Sequence, residues 1–169
     1  SDNSDTTIVL CDATQVQQVL LNLCTNASHA MGENGGTLTV NVGNEIIGDP
    51  MSSIYRISAG KFIFIKVSDT GTGMNSDILE RIFEPFFTTK SPGIGTGLGL
   101  SVARGIITDH GGFITAESEE GKGSAFTVYL PVAPEADESI KEKVNTDNLP
   151  GGSERLLILD DESIKEEII

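Results

Sequence analysis

Two asparagines, Asn22 and Asn26, stand four residues apart in a stretch whose apolar residues recur at helical spacing. Side chains four residues apart on a helix project side by side from one stripe. Each amide offers a neutral oxygen, which suits a Mg²⁺ ion that already carries phosphate ligands. Paired asparagines in mid-helix are also found on solvated faces. The pair alone therefore leaves two interpretations open, a metal or phosphate ligand and a wet surface.

A carboxylate stands at the end of a predicted strand. Asp69 follows the alternating run 61–68, and Gly71 and Gly73 follow Asp69. A carboxylate only accepts hydrogen bonds, so Asp69 would suit an amino group such as that of adenine. The glycines would let backbone pass close beside such a group. Aspartate and glycine are also ordinary turn formers, which leaves a plain turn as the alternative.

Four alternating glycines, Gly93, Gly95, Gly97 and Gly99, lead into a predicted helix over residues 98–109. The free N–H groups and positive dipole of a helix start favour phosphate. The spacing does not fit the G-x-G-x-x-G pattern, and neither Gly-Lys pair is followed by the Ser or Thr of a Walker A motif. A nucleotide site here must belong to another class, and a flexible loop without a ligand is the alternative.

The helices and strands that must position these residues can be read from the apolar pattern. A helix over residues 13–31 is predicted, with Asp12 as its N-cap and Gln15 as the capping-box partner. Phe83, Phe86 and Phe87 predict a hydrophobic anchor for the glycine loop. The other predicted elements are an edge strand at 6–10, strands at 37–47 and 61–68, a short helix carrying Ile78, Leu79 and Ile82, a hairpin of 113–118 and 124–130, and a late strand near 155–160.

Composition and charge limit the possible partners. The chain has 169 residues and a net charge of −14, so a nucleic-acid backbone is not an expected partner. No apolar run approaches the roughly 18 residues of a membrane span, so this stretch is expected to make no membrane contact. Cys11 and Cys24 are lone thiols without metal-site spacing, as in a reduced, cytoplasmic compartment.

Five blocks, in this order, resemble the catalytic ATP-binding domain of sensor histidine kinases in the GHKL superfamily. The N-box is resembled by QVLLNLCTNA, the first glycine box by VSDTGTGM, the F-box by FEPFFTTK, the second glycine box by GTGLGLSVARGII and the closing strand by GSAFTVYLP. The sequence EPFFTTK resembles that of the nitrogen-regulation-like subgroup of these kinases. The later segment ERLLILDDE resembles the first strand of a response-regulator receiver.

The resemblance implies an α+β fold, the two-layer α/β sandwich of the GHKL (Bergerat) type. Its mixed, mostly antiparallel sheet would be covered on one face by about three helices, with a mobile ATP lid. The implied domains are the catalytic domain at residues 1–131, an acidic linker at 132–153 and a truncated start of a receiver at 154–169. Asp160 and Asp161 would be the acidic pair of that receiver, which would make the parent a hybrid kinase.

The resemblance also implies roles for individual residues. Asn26 would coordinate Mg²⁺, and Asn22 beside it would touch metal or phosphate. Asp69 would bind the adenine amino group with support from Thr127, and His29 stands where relatives often carry a basic residue. The lid would span residues 83–97. The remaining implied nucleotide-binding residues are Gly71 and Gly73 beside the base, Phe87, Gly95 and Thr96 in the lid region, Lys90 near the phosphates, and Gly97, Leu98 and Gly99 as backbone donors.

The type of reaction follows from the first N-box position. Relatives that hydrolyse ATP carry a glutamate there as general base, whereas Asn22 has no basic lone pair. The domain is therefore expected to present the γ-phosphate of Mg·ATP to a histidine on a separate dimerisation domain. Neither His29 nor His110 has the context of that acceptor, so this stretch is expected to bind ATP without phosphorylating itself.

The partners implied are the acceptor domain of the same parent chain and a receiver, either in the parent or in a separate response regulator. The parent would be a homodimer that could be membrane-anchored, and this stretch a cytoplasmic monomer. Two alternatives remain from the sequence. One is a serine kinase of the anti-sigma-factor type, and the other is a degenerate module that only binds or docks.

Overall fold

The structure, a computed structural model, describes residues 8–33, 35–90, 95–133 and 157–160, the last four as backbone. Most elements that were predicted begin and end within two residues of the predicted bounds. The helices are α1 (Ala13–Met31), α2 (Met51–Tyr55), α3 (Ser76–Arg81) and α4 (Gly99–Asp109). The strands are β1 (Leu38–Ile47), β2 (Gly60–Asp69), β3 (Phe113–Glu119), β4 (Gly123–Pro131) and β5 (Leu157–Asp160).

The strands form one sheet in the order β3-β4-β2-β1-β5. The pairs β1–β2, β2–β4 and β3–β4 are antiparallel, and β5 pairs with β1 in parallel. The predicted α+β class with a mixed, mostly antiparallel sheet is therefore confirmed. The strand β2 is central in the sheet, and both of its faces are covered: Val67 packs under the helices and Phe62 packs on the opposite side.

Three helices cover one face of the sheet, as predicted. Val19 and Leu23 of α1 and Ala103 and Ile107 of α4 recur at helical spacing, and all four are at most 1% exposed. They pack on strand residues that alternate along β2, β3 and β4, while α3 contributes Ile78 and Leu79 at the margin. Burying these apolar stripes is the main stabilisation of α1 and α4.

The helix α2 lies on the opposite face and was not predicted. Tyr55 stacks on Phe113 with ring centroids 4.3 Å apart, and Phe113 stacks on Tyr129 at the same distance. Five residues are too few to show a helical period. The local signal is Asp49, whose Oδ1 accepts hydrogen bonds from the hydroxyls of Ser52 and Ser53.

The start of α1 confirms one prediction and corrects another. Oδ1 of Asp12 accepts the N–H groups of Thr14 and Gln15, so Asp12 is the N-cap. The capping box with the Gln15 side chain is wrong, because the N–H of Asp12 donates to Nε2 of His110 at 3.0 Å. Only tertiary packing brings the end of α4 to this position.

Several predictions fall on residues beyond the described ranges. Of the edge strand predicted at 6–10, the structure shows a bridge between Val9 and Val132 and a bond from the N–H of Ala133 to the carbonyl of Ile8. Most of the linker (132–153) and of the receiver start (154–169), including Asp161, lies outside the description. Within the described residues no helix has the length and apolarity to cross a membrane.

Candidate functional site

Asn22, Asn26 and Lys90 lie together at the side of α1, as the predicted site requires. The amide nitrogen of Asn26 lies 3.5 Å from Oδ1 of Asn22, at the limit of a hydrogen bond. The ammonium of Lys90 donates to Oδ1 of Asn26 at 3.4 Å and to Nδ1 of His29 at 2.8 Å. Spacings of three and four residues on α1 place the three acceptor side chains on one stripe. Lys90, which follows His29 by 61 positions in the chain, contacts this stripe.

A groove of about 290 Å³ lies along the junction of α1 and α4. Gly99 lets the first turn of α4 approach Asn22 closely, because a Cβ at that position would lie 2.5 Å from Oδ1 of Asn22. Predicted site residues from both sides therefore meet here. The lining includes Gln18 and Asn22 from α1, and Thr96, Leu98, Gly99 and Val102 from the α4 side.

The first turn of α4 faces this groove with its backbone donors. Leu98 is the N-cap residue, and within the described residues no side chain caps the helix. The hydroxyl of Thr96 instead accepts the N–H of Leu98 at 3.4 Å. The N–H groups at the start of a helix point outward and attract negative charge. An anionic group in the groove would find donors on one side and the amides of α1 on the other.

Asp69 ends β2 and is 8% exposed. Its Oδ1 accepts the N–H of Gly71 at 2.8 Å, which fixes the carboxylate and leaves acceptor capacity on the second oxygen. Gly71 passes so close to α1 that a Cβ would meet the backbone of Ala30, and Gly73 (φ 64°) likewise meets Glu119. The close approaches that require these two glycines are thus to protein backbone.

Thr127 is not brought to Asp69. Successive residues of a strand point to opposite faces, and Thr127 pairs with Lys66 on the face away from Asp69. The residue opposite Asp69 on β4 is Ser124, which is 8% exposed. Its hydroxyl lies 3.0 Å from that of Ser118, which accepts the N–H of Met74. Ser124 was not predicted as a site residue. Because side chains alternate along a strand, Ser124 and Thr127, which are three positions apart, face opposite sides of the sheet.

The predicted lid region is closed at its base. The N–H of Phe86 donates to the carbonyl of Gly97 at 2.8 Å, and Phe86 is 74% exposed with φ 68°. Phe83 and Phe87 pack on the core, so they supply the predicted anchor, whereas Phe86 does not. Gly95 lies beside Thr88 and Lys90. Residues 91–94, which belong to the predicted lid, lie outside the described ranges.

The donor set near Asn26 fits a metal only when phosphate comes with it. No group of three or more His, Cys, Asp or Glu that could hold a metal occurs in the parts of the chain the structure describes. Two amide oxygens alone are a poor cage for Mg²⁺, which is commonly held by one or two protein ligands plus phosphate and water. The Lys90 ammonium at Oδ1 of Asn26 shows that this oxygen attracts a cation.

Comparisons with known proteins agree with this geometry. Residues 11–134 match the family described as histidine kinase-, DNA gyrase B-, and HSP90-like ATPases. The sensor kinase CckA of Brucella abortus is 42% identical over 166 residues, covering 93% of this chain and 18% of CckA. The catalytic domain of the histidine kinase ThkA, in a nucleotide-free form, is 37% identical with a TM-score of 0.52, covering 73% of this chain and 70% of that one.

Full-length ShkA in complex with AMPPNP is 29% identical with a TM-score of 0.56, covering 78% of this chain and 24% of that one. The chain spans 18% to 23% of the length of the first curated relatives that it matches.

Proposed function

We propose that this chain, which belongs to the family of histidine kinase-, DNA gyrase B- and HSP90-like ATPases, is the ATP-binding catalytic domain of a sensor histidine kinase. In this role it binds Mg·ATP and presents the γ-phosphate to a histidine on a separate dimerisation domain. The observation that carries the proposal is the groove in which Asn22 and Gly99 face each other, with Asn26 and Lys90 beside them.

Each part of the nucleotide is assigned to a part of this site. The phosphates lie between the first turn of α4 and the N-box stripe, where backbone N–H groups and Lys90 offset their charge. Asn26, with Asn22 beside it, would hold the metal. Bound Mg²⁺ would neutralise phosphate charge and orient the phosphates. Asp69 receives the adenine amino group, and Ser124 rather than Thr127 is the hydroxyl on its face of the sheet.

Transfer to a protein acceptor is favoured over hydrolysis. A hydrolysing site needs a base to take the proton of water, and the amide of Asn22 has none to offer. Positioning and charge neutralisation carry most of phosphoryl transfer, and the groove supplies both. The domain thus serves as phosphate donor.

The two histidines of the described chain are both engaged elsewhere. Nδ1 of His110 lies 2.8 Å from the carbonyl of Ile106, and Nε2 accepts the N–H of Asp12. Nδ1 of His29 lies 2.8 Å from the Lys90 ammonium. Neither histidine has the sequence context of the family's phosphoacceptor. The acceptor is accordingly assigned to a dimerisation domain of the same parent kinase.

A hybrid arrangement is proposed for the tail. The match to CckA covers 93% of this chain and so runs beyond residues 11–134. Asp160 ends β5, and Asp161 follows it as the second acid of a receiver-like segment. Phosphate would pass from the acceptor histidine to a receiver in the parent or in a separate response regulator. We further propose that the parent kinase is a dimer, and that the isolated domain is monomeric and cytoplasmic.

The test is equilibrium binding of Mg·ATP to the full chain, with Asn26→Ala as the metal-site variant and exposed Asn44→Ala as control. We expect nucleotide affinity to depend on Mg²⁺ in the wild type and in Asn44→Ala, and to lose most of that dependence in Asn26→Ala. Undiminished Mg²⁺ dependence in Asn26→Ala would overturn the metal assignment. No nucleotide binding by the wild type would favour the docking-module alternative.

Incubation with γ-labelled ATP tests the missing acceptor. We expect no label on the isolated chain and acid-labile label on an added dimerisation domain of a matching kinase. Acid-labile label on the isolated chain would contradict the proposal. Acid-stable label on a serine of an added protein would support the anti-sigma-factor type of kinase.

A further inference from the structure

Lys90 is held at two acceptors on α1. Its ammonium lies 2.8 Å from Nδ1 of His29 and 3.4 Å from Oδ1 of Asn26. Its backbone is held as well, because its N–H donates to the hydroxyl of Thr88 at 3.1 Å. An ammonium only donates hydrogen bonds, so Nδ1 of His29 is the acceptor and the ring is neutral with its proton on Nε2. Lys90 therefore occupies a defined place against α1.

That place is the cation position of the proposed metal site. Oδ1 of Asn26 is the atom assigned to Mg²⁺, and in the structure it accepts a hydrogen bond from the Lys90 ammonium. Two cations bound to the same amide oxygen would repel each other strongly at the separation this requires. Lys90 must leave Asn26 before a metal can bind there.

We propose that Lys90 is a built-in substitute cation, held at Asn26 by His29 when no nucleotide is bound, and that Mg·nucleotide displaces it. This inference rests on the proposed function, since it concerns the same site. The displaced ammonium moves to the phosphates, which are its stronger partners because they carry full negative charge. His29 is a positioning residue, since it acts through Lys90 and touches neither metal nor phosphate in this scheme.

The exchange predicts the direction in which replacing His29 changes the affinity for Mg·nucleotide. Breaking the bond to His29 is a cost that nucleotide binding must overcome, so loss of the acceptor should make Mg·nucleotide bind more tightly. A histidine that held the phosphates directly would have the opposite effect when replaced. The expected change is about two- to tenfold in affinity, the range for one ordinary hydrogen bond, because His29 is exposed and water screens the Lys90 charge.

The first experiment compares two substitutions by equilibrium binding of Mg·ADP, which cannot donate a γ-phosphate. His29→Phe keeps a ring without an acceptor nitrogen, and His29→Asn places an amide oxygen near the position of Nδ1. We expect tighter binding by His29→Phe and near wild-type affinity for His29→Asn. Unchanged or weaker binding by His29→Phe, with a wild type that binds normally, overturns the exchange while the proposed function stands. A wild type without any nucleotide affinity overturns both.

The second experiment needs no nucleotide for its main comparison. The side-chain amide signals of Asn26 are followed by NMR in the wild type, in Lys90→Met and in the control Lys122→Met, whose lysine pairs with Glu119 in the β3–β4 hairpin. We expect Lys90→Met alone to shift these signals, and Mg·ADP to shift them in the wild type. Asn26 signals that are the same in Lys90→Met and the wild type overturn the inference, whatever the affinity measurements give.

Discussion

The backbone N–H of Asp12 donates a 3.0 Å hydrogen bond to Nε2 of His110, which lies 98 residues further along the chain. Nδ1 of the same ring lies 2.8 Å from the carbonyl of Ile106, so Nδ1 carries the proton and Nε2 is the acceptor. One ring therefore ties the start of α1 to the end of α4. These are the two helices that form the walls of the candidate nucleotide groove.

Replacing His110 with alanine should lower the free energy of unfolding by about 1–3 kcal/mol, because it breaks this tie and leaves the Asp12 N–H without its partner. Urea unfolding followed by circular dichroism measures the change. His29→Ala is the matched control, since His29 is exposed and joins no two core elements. Equal losses in the two variants would contradict a structural role for His110.

Asp69→Asn should weaken ATP binding by about tenfold or more, because the amide that replaces the second oxygen donates rather than accepts. The fold should survive, since the amide oxygen can still accept the N–H of Gly71. Isothermal titration with Mg·ATP measures the affinity, and exposed Asp77→Asn is the control. If Asp69→Asn binds ATP like the wild type, Asp69 does not hold the adenine amino group.

Gly99→Ala should weaken nucleotide binding, because the new methyl group would reach Asn22 and displace it from the groove. Gly105 stands on the same helix with nothing within 4 Å of a Cβ, so Gly105→Ala should leave affinity unchanged. The control should also raise stability by up to about 1 kcal/mol through helix propensity. Titration calorimetry and urea unfolding of both variants give the comparison. Equal affinities would contradict the claim that nucleotide binding needs the close approach of Gly99 to Asn22.

Tyr129 should make the fold sensitive to alkaline pH. Burial first, and then the Glu45 carboxylate, raise the pKa of its hydroxyl to about 12 from an ordinary value of 10.0. Because the unfolded chain releases this proton first, the contribution is complete below pH 10 and is lost as the pH rises towards 12. Urea midpoints at pH 8, 10 and 11.5 should fall less steeply for Tyr129→Phe than for the wild type. Tyr55→Phe is the control, and a slope for Tyr129→Phe equal to that of the wild type would refute the assignment.

Deleting residues 134–169 should expose one edge of the sheet. Residues Thr39 to Val42 of β1 pair in parallel with β5, so deletion removes the partners of their outward-facing backbone groups. Amide exchange measured by mass spectrometry should become faster in β1 of the truncated chain, and should be unchanged in β3 at the other edge. Unchanged protection of β1 would mean that β5 does not shield that edge in solution.

Local patterns accounted for most of the fold. The helical spacing of apolar residues indicated α1 and α4, and the alternation of residues along a strand indicated β2 and the β3–β4 hairpin. Asp12 indicated the start of α1 as its N-cap. These signals are local because they depend on periodicity and caps within a few residues. The five-residue helix α2 was missed for the same reason, since it is held mainly by packing against distant aromatic rings.

The sequence by itself determined the chemistry that the protein has available: paired amides on one helix stripe, a carboxylate at a strand end, and glycines before a helix start. The tertiary structure alone decided which of these meet. Strand register put Ser124 rather than Thr127 opposite Asp69, the packing of α4 on α1 gave the Asp12 N–H to His110, and the course of the chain after Phe87 brought Lys90 to His29 and Asn26. Such contacts join residues tens of positions apart, so no local pattern specifies them, and only the packed core fixes their geometry.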